Sequence, residues 1–295
     1  MARYDDFLAR LRAGEKILID GGTGTESERR GIPQLDNAWN GSGPVTHPSI
    51  IQGIHEDFIS AGAEIIITNT FSTSKHALRD AGKVDEFARH NRRAVELALE
   101  ARKNKQTPNV MVAGGVAYWS WSGNHPPLAQ LEADVTEQVE IMAESGVDFL
   151  MLEMMIGIDR MLTTLKAAKT VGLPIWVGLS CRPAPNGAMC LFNEEPLGDA
   201  IDALNGHDIP LISIMHSRIE YIDTCLDIVD QHWDGLVGVY AHTSREVDGA
   251  WNFHDAISPE GYAAHCQRWL ARDVRLIGGC CGMTPEHIKA IKAVL

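Results

Sequence analysis

The sequence has no apolar stretch approaching the ~18–20 residues that a membrane-spanning helix needs, and no run of Lys or Arg longer than two residues. With 26 basic against 39 acidic residues and a formal charge of −13, it offers no footprint for tracking phosphates or anionic lipid. Nucleic acid and membranes are therefore excluded as expected partners. Cysteine is scarce: six in 295 residues are too few for a disulfide framework, so free thiols or metal ligands are expected. The N-terminus, MARYDDFLARLRAG, carries acids where an export signal has its apolar core, and the expected location is the cytoplasm. No linker-like stretch divides the chain, so one domain over 1–295 is expected. The glycines of Asp20-Gly21-Gly22 lack G-x-G-x-x-G spacing and have an acid at their entrance, which argues against a nucleotide site.

What is present is an ordinary globular composition, 45% hydrophobic and 22% charged, with apolar runs recurring at a regular interval. They lie at 17–20, 64–68, 110–114, 148–152, 175–180, 211–215, 236–240 and 275–277. From residue 17 to residue 275 the spacing averages about 37 residues, enough for strand, loop, helix and return loop. Their near-continuous apolar character suits parallel strands covered on both faces. Segments between them carry helical periodicity, as in 85–103, where Phe87, Val95, Leu97 and Leu99 sit among Arg and Glu. Small-residue turns at Ala61-Gly62-Ala63, Ser145-Gly146-Val147 and Val171-Gly172 precede three of the runs. Eight strands in strict alternation with helices predict an α/β fold, a (β/α)8 TIM barrel, with a doubly wound sheet as the weaker alternative.

Barrels of this kind carry their chemistry at the C-terminal ends of the strands. Those ends hold Asp20, Thr70 and Phe71, Tyr118 and Trp119, Glu153, Cys181, His216, His242, and Cys280-Cys281. Two adjacent cysteines in Gly278-Gly279-Cys280-Cys281-Gly282 can both reach one Zn2+, because the flanking glycines let the backbone bend around it. The alternative is a pair of buried small hydrophobes or a redox pair. His216 is favoured as third ligand, since the end of the sixth strand faces the eighth across the mouth; Cys181 competes for that role. Asp20 and Glu153, at the ends of the first and fourth strands, cost desolvation unless they meet a cation or backbone donors. Trp39, Phe71, Tyr118, Trp119, Trp121 and Trp251 all fall after strands, where aromatic faces can either fill core or box an onium ion.

These residues carry a resemblance. Asp20-Gly21-Gly22 with Glu26, Arg29-Arg30-Gly31, Trp39, His55, Ala61-Gly62-Ala63 and Thr68-Asn69-Thr70-Phe71 resembles the opening of the homocysteine S-methyltransferase family. Gly278–Gly282 followed by Thr284-Pro285-Glu286-His287-Ile288 is similar to that family's close. The resemblance implies a (β/α)8 barrel with zinc on three cysteines, one after the sixth strand and an adjacent pair after the eighth. It implies transfer of a methyl group from a small sulfonium or quaternary ammonium donor to the thiol of homocysteine, in a monomer or small homo-oligomer. Cys280 and Cys281 would be ligands, Asp20 and Glu153 would hold ammonium groups, and Trp39 would contact the donor. Gly21, Gly22, Thr70, Phe71 and Tyr118 are the further expected substrate contacts. Where the family has Asn-Cys, Pro-Asn and a Gly-Pro-Tyr-Gly-like turn, this chain has Met215-His216, Ala241-His242 and Ala117-Tyr118-Trp119-Ser120. With imidazole as third ligand the zinc site becomes neutral. Alternatives left open are another thiol acceptor, onium demethylation, or a non-catalytic zinc- or ligand-binding protein.

Overall fold

The computed structural model describes residues 2–243, 245–247, 250–253 and 257–295, with side chains for all of these except 2, 245–247, 250 and 251. Eight parallel strands form one sheet: β1 (Ile17–Leu18), β2 (Ile65–Ile67), β3 (Met111–Val116), β4 (Phe149–Met155), β5 (Ile175–Leu179), β6 (Leu211–Arg218), β7 (Leu236–His242) and β8 (Leu276–Gly279). Each strand pairs with its neighbours in chain order, and β8 returns to β1 in the register Ile17 to Leu276. A parallel bridge between Ile19 and Ile65 closes the ring, with Asp20 N–H donating to the Ile65 carbonyl at 3.0 Å and Glu64 N–H to Leu18 at 2.7 Å. The architecture is the expected (β/α)8 barrel.

Strand residues alternate between two buried layers. Ile17, Ile65, Met111, Phe149, Met151, Trp176, Leu211 and Tyr240 point into the barrel. Leu18, Ile66, Val112, Leu150, Val177, Ile212, Val239 and Ile277 point out to the helices. Both faces are covered, which is why the strands read as continuous apolar runs rather than alternating ones. The segment read as helical over 85–103 is the helix Phe87–Asn104, preceded by a short 3-10 turn. The helices Pro48–Ala61 and Leu128–Ser145 stop at Gly62 and Gly146, with φ of 109° and 98°. Only glycine enters that left-handed region without a Cβ clash, so these two positions set where the chain turns into β2 and β4.

Three features go beyond the sequence reading. The helix Ala2–Arg12 packs Tyr4, Phe7, Leu8 and Leu11 into the inner cluster, and Trp176 Nε1–H donates to the Tyr4 hydroxyl at 2.8 Å. Two antiparallel hairpins, 181–183 with 189–191 and 245–247 with 250–252, follow β5 and β7. Among the described residues no helix is long and apolar enough to cross a membrane.

Candidate active site

At the C-terminal ends of the strands lies a cleft of about 770 Å³. Its geometry depends on two breaks in the β ladders. The β6–β7 register shifts between Met215 and Arg218, and inside that break His216 takes a left-handed φ of 42°. The β4–β5 register shifts between Leu152 and Met155, where Met154 has φ 54°. Such irregularities re-aim side chains, and left-handed backbone at a non-glycine residue costs about 1–3 kcal/mol. At His216 that strain turns the imidazole toward the end of β8.

There the chain makes a tight turn. Cys280 N–H donates to the Ala241 carbonyl at 2.9 Å, and Met283 N–H to the Cys280 carbonyl at 3.1 Å. Gly282 has φ 83°, and a Cβ on it would lie 2.1 Å from the Phe253 carbonyl oxygen, so no other residue fits. His216 Nδ1 then sits 3.4 Å from Cys280 Sγ and 3.5 Å from Cys281 Sγ, and the sulfurs are 3.9 Å apart. A tetrahedral zinc site, with bonds of about 2.3 Å to sulfur and 2.0 Å to nitrogen, has edges of about 3.8 Å between sulfurs and 3.5 Å between sulfur and nitrogen. The three groups therefore have the mutual spacing such an ion requires, and all three line the cleft. The Cys281 thiol beside it, reinforced by burial, pushes the Cys280 thiol well up. Two thiols this close are not thiolates together without a cation between them. The His242 ring lies 4.3 Å from that of His216, tilted by 46°, and burial pulls it down to about 2, so it stands beside the trio as a neutral group.

Cys181 lines the same cleft but is not part of the trio. Its thiol is hydrogen-bonded to the free thiol of Cys225, which with burial raises it well above the usual thiol range, and its backbone N–H donates to Ser217 Oγ at 2.8 Å. Of the two contenders for third ligand, the fold brings His216 to the cysteine pair.

The floor of the cleft is acidic. Burial lifts the Glu153 carboxyl to about 8, and Gly115 makes room for it, since a Cβ there would lie 2.6 Å from Glu153 Oε2. Asp20 is buried behind the cleft rather than lining it; its Oδ2 accepts the Ile67 N–H at 2.8 Å. Burial and the nearby Glu153 hold its carboxyl well above the usual range, against the pull of that hydrogen bond. Gly21 and Gly22 line the cleft, and a Cβ on Gly22 would lie 2.6 Å from the Cys280 carbonyl. The opening and closing motifs thus touch, which ties the acid floor to the thiol pair.

One wall is aromatic. Trp121 meets Trp39 at 6.4 Å between ring centroids and Phe71 edge-on at 6.0 Å, and Trp119 joins the same wall. Trp39 is held at φ 41°. Two expected substrate contacts are corrected here. The Tyr118 hydroxyl is wholly buried, accepting from Ile156 and Gly157 N–H at 2.8 and 2.9 Å, so it ties down the loop after β4 and does not line the cleft. Thr70 is also fully buried, its hydroxyl donating to the Gly115 carbonyl at 2.6 Å. The side chain of Trp251 lies outside the described residues. The opposite wall carries Arg182 and Arg218, which the sequence reading did not single out. It also missed Tyr240, whose place inside an apolar run gave no signal beyond its inward position.

A family profile described as homocysteine S-methyltransferase matches residues 17–295. The homocysteine S-methyltransferase of Escherichia coli is 27% identical, over 99% of this chain and 99% of its own length. The rat betaine–homocysteine S-methyltransferase 1 is also 27% identical, over 96% of this chain and 73% of its own. In fold, the crystal structure of the E. coli homocysteine methyltransferase MmuM in its metallated form superposes with a TM-score of 0.80 at 24% identity, covering 97% of this chain and 98% of that one.

Proposed function

Because the chain belongs to the homocysteine S-methyltransferase family, we propose that it moves a methyl group from a small sulfonium or quaternary ammonium donor to the thiol of homocysteine, giving methionine. Zn2+ would be held by His216, Cys280 and Cys281. The observation that carries it is the trio of one nitrogen and two sulfurs at tetrahedral spacing on the rim of a cleft lined by Glu153, with the buried Asp20 carboxyl behind it. Zinc bound there lowers the pKa of an acceptor thiol so that it is a nucleophile at neutral pH.

The chain's own residues do the rest. Glu153 and Asp20 take the ammonium group of the acceptor, which fixes the direction of its carbon chain across the floor. The Trp39, Phe71 and Trp121 faces hold the onium donor through cation–π attraction. The acceptor sulfur forms the new S–CH3 bond as the donor's C–S or C–N bond breaks, and that electron pair leaves with the donor. The spent donor is a neutral thioether or tertiary amine at that centre, so the aromatic wall grips it less and releases it.

Incubating the zinc-loaded protein and homocysteine with S-methylmethionine, glycine betaine and other small onium compounds tests this. Mass spectrometry is expected to find methionine with at least one donor, and Trp121→Ala to raise the KM of that donor by about 5- to 30-fold. If no donor methylates homocysteine, the proposed reaction is wrong.

A further inference from the structure

Tyr240 stands in the middle of β7, paired with Met215 of β6 and Gly278 of β8. Its ring points into the barrel mouth just below the His216, Cys280 and Cys281 level and is 2% exposed. The hydroxyl reaches past β6 to β5. A Cβ on Gly178 of β5 would lie 2.7 Å from Tyr240 Oη and 3.2 Å from the carbonyl of Leu152, the residue before Glu153. Yet among the described residues this buried hydroxyl has no hydrogen-bond partner. An orphan buried hydroxyl is destabilising, and native proteins keep such groups where something else completes them. The residue lines the cleft while its oxygen is buried just beneath that lining, at the edge of the space a ligand would fill.

A primary ammonium group carries three N–H donors, and the cleft offers Glu153 in its lining with the Asp20 carboxyl buried behind it. We propose that the Tyr240 hydroxyl is the third acceptor for the ammonium group of the acceptor substrate, completing the set begun by Asp20 and Glu153. The inference rests on the proposed reaction and adds a residue to it. A hydroxyl has two acceptor sites and one proton, so it receives the ammonium N–H and still turns its own proton toward Glu153 once that carboxylate ionises. Burial, with the fields of Glu153, Cys280 and Asp20, holds the phenol well above its usual range, which keeps that proton in place. Glycine at 178 is what gives the hydroxyl its room.

The test compares Tyr240→Phe with the wild type on homocysteine and on 4-sulfanylbutanoate, which has the same thiol and carboxylate and no amine. Wild-type turnover of homocysteine tests the reaction itself; the ratio between the two substrates tests the tyrosine. Loss of a hydrogen bond to a charged group is expected to lower kcat/KM for homocysteine by about 10- to 100-fold, mainly through KM, with the amine-free thiol affected less than twofold. Equal losses on both substrates would overturn the assignment and place the hydroxyl at the sulfur or in the scaffold, and no loss on either would overturn it as well. Phenylalanine removes an unsatisfied group and leaves the packing, so the variant is expected to melt at or above the wild-type temperature. A clearly less stable or unfolded variant would mean that the hydroxyl is already partnered in the free protein, which also overturns the proposal.

Discussion

Cys280→Ser and Cys281→Ser are each expected to lose bound zinc on dialysis and to lower methyl transfer by about a thousandfold or more. The sulfurs sit 3.4 and 3.5 Å from His216 Nδ1 and 3.9 Å from each other, so neither can be removed without opening one corner of the tetrahedron. Serine oxygen is a poorer zinc ligand at neutral pH and leaves only one sulfur and one nitrogen. Without the ion, only a small fraction of an alkyl thiol is ionised at pH 7, and the acceptor loses its anchor on the rim. The measurements are metal content by mass spectrometry and initial rates on the same preparations. Full zinc occupancy in either variant, or transfer within tenfold of the wild type, would contradict the ligand assignment.

Glu153→Gln is expected to make the protein more stable and nearly inactive. The carboxyl is pushed to about 8 by burial, from an ordinary value of 4.5. At pH 7 the folded protein keeps this proton while the unfolded chain releases it, so the group lowers stability as pH rises from about 4.5 to 8, by about 3 kcal/mol at neutral pH. Glutamine has nearly the same shape and nothing to ionise, and for a chain of this size the gain corresponds to a melting temperature higher by about 5 °C. The same substitution removes the negative charge that an ammonium needs, and kcat/KM for homocysteine is expected to fall at least 100-fold. The pH dependence follows with the same sign. In the wild type the carboxylate form is the minor one at pH 7, so affinity for methionine is expected to rise about fivefold from pH 7 to pH 8. In Glu153→Gln it should be flat over that range. Calorimetric melts and titrations decide both points; a destabilised variant that still binds methionine would contradict the role given to Glu153.

The barrel was legible because both faces of its strands are buried, so each strand wrote an apolar run with helical periodicity between. The apolar residues of the first helix, at 4, 7, 8 and 11, also have helical spacing, but nothing local says that they dock against Phe149 and Trp176. The site was legible as a set of strand ends and less so as geometry. In the sequence His216 and Cys181 both stand at the ends of apolar runs, and in the fold His216 lies in the last residues of β6 and Cys181 just after β5. What separates them is a break in one ladder and a left-handed residue, neither of which has a periodic signature. Tyr118 and Trp119 are adjacent, yet one is consumed by backbone donors and the other faces the cleft. Strand alternation assigns Tyr240 to the interior, but an interior hydroxyl without a partner can be recognised only once its neighbours are in place.

In the proposed site one imidazole and two thiolates hold the metal. X-ray absorption at the zinc edge of the purified, substrate-free protein tests it most directly, because nitrogen at about 2.0 Å and sulfur at about 2.3 Å are distinguishable scatterers. The expected result is about one zinc per chain with two sulfurs and one imidazole in its shell. Homocysteine should raise the count to three sulfurs. Three sulfurs before substrate is added, or a shell without imidazole, would put Cys181 or another thiol where His216 is assigned and contradict the account.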